Sequence, residues 1–393
     1  MFRLGDGKLP LRKETDFSGI KKIFLLLGPA CNMRCRHCSQ VPIKNGERIK
    51  HDVDVSVWEL FDGYISYCLT HKLTGPRKVF PSIIFWGGEP LLHWDFIKET
   101  VVRYTEKFNI TDESSFAFSF VTNGLLMDDE KVDFLNRYPV KVSLSYDAPY
   151  PFAVRGKIDE SVCDTVRKLK KYSTISTFNA LNCDYYLALR CMRKKFPHVR
   201  NSFNLPLLHT FDMPEDIFSY DFDKIRKSLK KICIAIKLGD INASAMVHHI
   251  AWPLQYPVGA SFFREHRFKS CSSGESNFSV MLDGSVVTCH NSMEKIGTLD
   301  DDRWTIRNRM IGAYSKRRSP ECDVCEHADI CVGNCSFSLR DGEGNYLSCG
   351  EFFKPFYTAL KEELRHLPDP LTEEEKKWFE EECRKDDEIV DAF

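Results

Sequence analysis

The stretch that decides the reading runs from Gly28 to Gln40, "GPACNMRCRHCSQ", and follows directly on the apolar run Ile23 to Leu27. Three thiols, Cys31, Cys35 and Cys38, stand on one short loop just past what the apolar run predicts as a buried strand. Outward from this loop the chain alternates. Asp54 is placed to cap a helix through "DVSVWELFDGYISYCLTHK", and a strand follows in "SIIFW". Then come a helix near "WDFIKETVVRYTEKF", a strand in "FAFSFVTN", a helix in "DDEKVDFLNRY", a strand in "VKVSLSY" and a helix in "DESVCDTVRKLKKY". The strand "TISTFNA", the helix "CDYYLALRCMRKKF" and a strand in "SFNLPLL" complete the series. Strands and helices in strict alternation predict a parallel sheet with right-handed crossovers, and periodicity alone leaves doubly wound sheet and partial barrel both open.

A chain of 393 residues, 43% of them hydrophobic, has material for a large core. Its 55 Lys and Arg nearly cancel its 56 Asp and Glu, so no global field draws it to nucleic acid or to an anionic membrane. The first residues, "MFRLGDGKLPLRKETDF", contain no apolar signal segment, and we expect a cytoplasmic protein. Sixteen cysteines in a chain of this length read as metal ligation rather than a disulfide framework. Ten of them fall into two groups, Cys31 to Cys38 and Cys271 to Cys349, while Cys68, Cys163, Cys183, Cys191, Cys233 and Cys383 stand singly in helix-like or strand-like patterns as small hydrophobes.

In parallel α/β folds, sites form at the carboxyl ends of the strands. Here those ends carry the three cysteines, then Gly87-Gly88-Glu89-Pro90, then Thr122-Asn123-Gly124, then Ser145 and Asp147 in "SYDAP". Each alone reads as a turn; together they occupy one face. Three thiolates supply three ligands of a four-iron cubane and leave one iron open. An amine and a carboxylate on one small molecule, as in the methionine end of S-adenosylmethionine, would chelate that iron and set a sulfonium beside the cluster. A zinc site completed by His37 or His51 is the alternative reading of the same spacing.

"CNMRCRHC" resembles the CxxxCxxC loop of radical S-adenosylmethionine (radical SAM) enzymes, and the later strand-end motifs fall in that family's order. The resemblance implies a partial (β/α)6 barrel and a catalytic 4Fe–4S cluster on Cys31, Cys35 and Cys38. It implies a methionine-amine site at Gly87, Gly88, Glu89 and Pro90, with Asn123 beside it, and contacts to ribose or carboxylate from Ser145 and Asp147. Close ligand approach would account for the glycine pair. His37 stands where the family usually has a carbocyclic aromatic against adenine, and an imidazole can stack there too.

The second cysteine group is Cys271 and Cys289 around the hairpin pattern "FSVMLDGSVVTC", then Cys322, Cys325, Cys331 and Cys335 in "CDVCEHADICVGNC", then Cys349. It resembles the SPASM extension of radical SAM enzymes that modify peptides and proteins. The resemblance implies one auxiliary 4Fe–4S cluster on Cys322, Cys325, Cys331 and Cys349 and another on Cys271, Cys289 and Cys335, so that the chain would hold three clusters with S-adenosylmethionine. No cysteine lies between Cys271 and Cys289, so the second of these clusters lacks a fourth thiolate. Either Glu275 or His290 completes it or one of its irons is open, and His290 is also a candidate base where sulfatase maturases carry an Asp.

These readings divide the chain into an N-terminal extension (1–19), a radical SAM partial barrel (20–210), a helical bridge (211–269), a SPASM domain (270–352) and a charged helical tail (353–393). The stretch "DFDKIRKSLKKICIAIK" reads as a helix with a solvated cationic face, and the tail as a solvating cap. The expected function is hydrogen abstraction from a peptide by a 5′-deoxyadenosyl radical, installing a crosslink, thioether or altered stereocentre during maturation of a ribosomally made peptide (RiPP). Formylglycine formation, or a non-catalytic iron–sulfur or zinc protein, are the alternatives. Expected partners are a peptide or protein substrate and an external one-electron donor such as flavodoxin or ferredoxin; any leader binding would use another surface of the chain or a separate leader-binding protein, because the residues before the first strand are too few for a leader-binding domain.

Overall fold

The computed structural model describes residues 17, 20–38, 53–71, 81–197, 199–204, 215–217, 219–244, 276–315, 324–327 and 354–393. The expectations for His51, Cys271, Glu275, Cys322, Cys331, Cys335 and Cys349 lie outside the described residues.

Six strands, β1 (Lys22–Leu26), β2 (Ser82–Trp86), β3 (Ala117–Thr122), β4 (Val140–Ser145), β5 (Tyr172–Thr177) and β6 (Arg200–Asn204), pair in parallel in sequence order. Between them run α1 (Val55–His71), α2 (Trp94–Phe108), α3 (Asp129–Leu135), the short α4 (Pro151–Val154), α5 (Glu160–Arg167) and α6 (Tyr185–Lys195). The helices start where acidic side chains satisfy free backbone N–H groups: Asp54 accepts from Ser56 N, Asp128 from Lys131 N and Asp184 from Leu187 N. The sixth strand begins two residues before the expected "SFNLPLL".

Alternation along each strand divides the side chains between two faces. Ile23 and Leu25 join the main core with Val57, Phe61 and Phe85, beneath the helices. Phe24 and Leu26 point the other way and pack with Ile84 and Val287, Trp86 and Met281 against them. This second, inner face is the concave side of the partial barrel.

The hairpin expected in "FSVMLDGSVVTC" is present as β7 (Asn277–Met281) and β8 (Ser285–Cys289), followed by β9 (Ser292–Thr298). Gly284 takes a φ of 77° at its turn, and Asp283 Oδ1 accepts from Ser285 N at 3.0 Å. The hairpin is not separate from the barrel: β7 pairs in parallel with β1, Leu26 opposite Met281, giving one nine-stranded sheet of order β6-β5-β4-β3-β2-β1-β7-β8-β9.

The remaining helices are α7 (Phe222–Lys237), α8 (Arg303–Ser315), α9 (Lys354–Arg365) and α10 (Glu373–Ala392). Two sequence expectations need correction here. The charged tail helix α10 is not a solvating cap, and the cationic face of α7 is not simply solvated. Lys231 of α7 is 2% exposed and bonds both Asp184 (2.8 Å) and Asp386 of α10 (2.7 Å). Arg190 of α6 bonds Asp387, Lys230 lies over the Trp378 ring, and Phe379 packs on Tyr186. Charged residues outnumber the stripe Phe379, Cys383, Ile389, Val390 and Phe393 that packs on the core, and so obscure it in the sequence. No helix among the described residues is long and apolar enough to cross a membrane.

Candidate active site

The cysteine loop leaves β1 and is stitched to the loop after β2. Leu27 N donates to Trp86 O (2.7 Å), Gly88 N to Gly28 O (3.0 Å) and Glu89 N to Ala30 O (2.8 Å). This proximity explains the glycines. A Cβ on Gly87 would stand 2.4 Å from Gly28 O, and one on Gly88 would stand 2.2 Å from Ala30 O and 2.4 Å from Pro29 O. Sequence reasoning gives the pair to close ligand approach; the contacts are to the cysteine loop itself. Cys35 is buried, and Cys31 and Cys38 are half-buried.

Glu89 is the hub of the strand ends. Its Oε1 accepts from Leu91 N (3.0 Å) and Thr122 Oγ1 (2.6 Å), and its Oε2 from Asn123 N (2.9 Å). Asn123 Nδ2 in turn donates to Asn32 Oδ1 of the cysteine loop at 2.8 Å. Burial raises the Glu89 carboxyl above its ordinary value, against the pull of these donors. Among the described residues no cation pairs with it, so a ligand ammonium would meet a buried carboxylate that needs one.

Asp147, expected beside the cofactor, is fully buried and engaged on both oxygens. Oδ1 accepts from Thr177 N (2.7 Å) and Ser176 Oγ (3.2 Å), while Oδ2 lies 2.5 Å from Arg155 Nε and 3.5 Å from His37 Nε2. Burial alone would raise this carboxyl; Arg155 and His37 hold it below the ordinary range. Arg155, which sequence reasoning missed, extends Nη1 to within 4.0 Å of Cys35 Sγ. It has no motif spacing to mark it; the only sequence signal is a cation shortly after the strand-end Asp, ahead of Gly156. Ser145 is buried at the end of β4.

On the inner face, His290 stacks on Phe24 with centroids 4.1 Å apart and meets Trp86 edge-on at 4.5 Å. Burial, with a smaller push from Lys22, lowers its imidazole to about 4, so it is neutral through the physiological range. Farther along the sheet, alternation puts Ser119, Ser143 and Ser173 on the same inner face, with Ser143 and Ser173 hydroxyls 2.7 Å apart. Cys289 is buried at the end of β8, and Cys325 is half-buried.

Among the described residues no three His, Cys, Asp or Glu side chains lie close enough to share one metal ion, and His37 faces Asp147, so a zinc site completed by His37 finds no support there. A four-iron cluster spreads its thiolates over separate irons and does not require that convergence.

The comparisons agree with the geometry. Residues 25–182 match the profile of the Radical SAM superfamily. The chain carries a radical SAM domain. Over 344 residues it is 24% identical to the radical SAM cyclopropyl synthase TigE of Paramaledivibacter caminithermalis, covering 84% of this chain and 70% of that protein. The fold is similar to native anSMEcpe with bound AdoMet and Cp18Cys peptide, at TM-score 0.61 and 18% identity over 88% of this chain and 99% of that one. It is also similar to Streptococcus suis SuiB bound to precursor peptide SuiA, at TM-score 0.55 and 14% identity over 84% of this chain and 75% of that one. The family's cofactors are S-adenosylmethionine and a 4Fe–4S cluster. The radical SAM domain fits them: it offers three thiols on one loop, a cation beside one of them, and a buried carboxylate hub on the adjoining loop.

Proposed function

We propose that the protein is a radical SAM enzyme that modifies a peptide, installing a crosslink, thioether or altered stereocentre. The observation that carries this reading is the union of the cysteine loop with the Glu89 hub, which places three thiols and a cation-seeking carboxylate at one end of the sheet. Cys31, Cys35 and Cys38 would hold the cluster, and Glu89 would receive the cofactor's ammonium. When bound, the pair supplies a 5′-deoxyadenosyl radical by reductive cleavage of S-adenosylmethionine. The remaining work belongs to the chain: Asp147 orients Arg155, and the inner face offers an extended peptide an apolar part at Phe24, Leu26 and Trp86 and a polar part at Ser143 and Ser173.

His290 is neutral and packs on the inner face against Phe24 and Trp86, so it can take a proton, though with its imidazole lowered to about 4 only from a group more acidic than ordinary side chains. The relatives support a peptide substrate: anSMEcpe is found with the Cp18Cys peptide, and SuiB with its precursor peptide. Two auxiliary clusters, on Cys322, Cys325, Cys331 and Cys349 and on Cys271, Cys289 and Cys335, belong to the same proposal, as do an external one-electron donor and a cytoplasmic location. The test is anaerobic co-expression with short open reading frames from the flanking DNA, followed by mass spectrometry. A mass change on one peptide that requires Cys35 is expected. No change on any of them, with cofactor cleavage intact, would turn the reading to a non-peptide substrate.

A further inference from the structure

Arg155 is a buried cation that the fold brings against a cysteine thiol of the loop. It follows the single turn of α4, which is tied to the cysteine loop by Arg36 N donating to Val154 O (2.8 Å) and Arg36 Nη1 to Ala153 O (3.2 Å). Its side chain is 10% exposed, its Nε is held by Asp147 at 2.5 Å, and its Nη1 lies 4.0 Å from Cys35 Sγ. The loop's other arginines are spent elsewhere: Arg34 donates to Cys31 O and Met33 O, and exposed Arg36 pairs with Asp216 at 2.6 Å. Solvent screens those two; it does not screen Arg155.

We propose that Arg155 is a positioning residue that raises the reduction potential of the cluster on Cys31, Cys35 and Cys38, with Asp147 fixing its guanidinium toward Cys35. The inference rests on the cluster assignment made above. A thiolate-ligated cluster gains one negative charge when an external donor reduces it by one electron, and a buried cation beside a ligand sulfur stabilises the more negative state. Asp147 is met by Nε and Cys35 by Nη1, so it is the cation of the pair that lies against the thiol. The pair thus acts as an oriented charge rather than a cancelled one.

The test is a dithionite titration of the anaerobically reconstituted full chain, without S-adenosylmethionine, followed by electron paramagnetic resonance. The relevant signal is identified afterwards as the one that S-adenosylmethionine perturbs. Arg155→Met leaves Asp147 buried with only His37 beside its Oδ2 and is prone to misfold. The Arg155→Met/Asp147→Asn double variant removes both charges, and Arg155→Lys keeps the cation. At a fixed potential the reduced-to-oxidised ratio should fall roughly tenfold or more in the double variant, equivalent to about 59 mV or more for a one-electron couple. Arg155→Lys should recover most of it. An unchanged potential in the double variant, even with a lowered melting temperature, would make Arg155 merely structural and overturn the proposal. Loss of the cluster in Arg155→Lys as well as in the double variant would overturn it too, since shape rather than charge would be at issue. If the wild-type chain holds no cluster that S-adenosylmethionine perturbs, the cluster assignment itself fails and the inference falls with it.

Discussion

Gly88→Ala should loosen the seam between the cysteine loop and the β2 loop. The added Cβ would meet Ala30 O at 2.2 Å, Pro29 O at 2.4 Å and the Ala30 carbonyl carbon at 2.6 Å. All three are backbone atoms, so no side chain can swing aside. Either the cysteine loop retreats or the bonds Gly88 N to Gly28 O and Glu89 N to Ala30 O break. Two backbone hydrogen bonds at about 1 kcal/mol each and an overpacking cost of about 1–3 kcal/mol give a loss of roughly 3–5 kcal/mol. Because the displaced segment ends at Cys31, the same change should reduce iron retention. The assay is melting temperature and iron content after identical anaerobic reconstitution, with Gly312→Ala as control. Gly312 lies in α8 with no heavy atom within 4 Å of a built Cβ, so alanine there should stabilise by up to about 1 kcal/mol. Gly88→Ala protein with wild-type stability and wild-type iron would refute the account of the seam.

Glu89→Gln should change the pH dependence of stability. Burial raises the Glu89 carboxyl in the folded protein, so its contribution is full below the ordinary carboxylate range and is lost as pH rises through the raised folded value; the difference between wild type and Glu89→Gln in chemical denaturation should show that downward slope, and parallel curves would contradict it. Lys231→Met should destabilise the chain by about 3–5 kcal/mol, because Asp184 and Asp386 would face each other without their cation. Limited proteolysis should then cut α10 before the barrel; unaltered cleavage would mean that α10 is held by its apolar stripe alone.

The local features of the site were legible because their chemistry is written in adjacent residues. Cys31, Cys35 and Cys38 share a loop, Glu89 follows its glycines, and alternating apolar runs mark β1 to β5. What pairs across long separations was not. The parallel pairing of β7 with β1 joins Met281 to Leu26 through backbone groups that every residue carries, so no side-chain pattern announces it. Arg155 depends on the path of α4 back to the cysteine loop, and Lys231 on where α10 comes to lie. Gly87 and Gly88 were read as a place of close approach by a ligand; the structure adds backbone atoms of the cysteine loop as neighbours, which the sequence could not name because it shows that room is needed and not which atoms fill it.

The most direct test of the central claim is 5′-deoxyadenosine formation from S-adenosylmethionine under dithionite, measured on anaerobically reconstituted wild type and Cys35→Ala. The account predicts product with wild-type protein, none with Cys35→Ala, and a loss of about four iron atoms from the roughly twelve expected for three clusters. Equal product from both proteins, or no product from a wild type that has taken up iron, would contradict it.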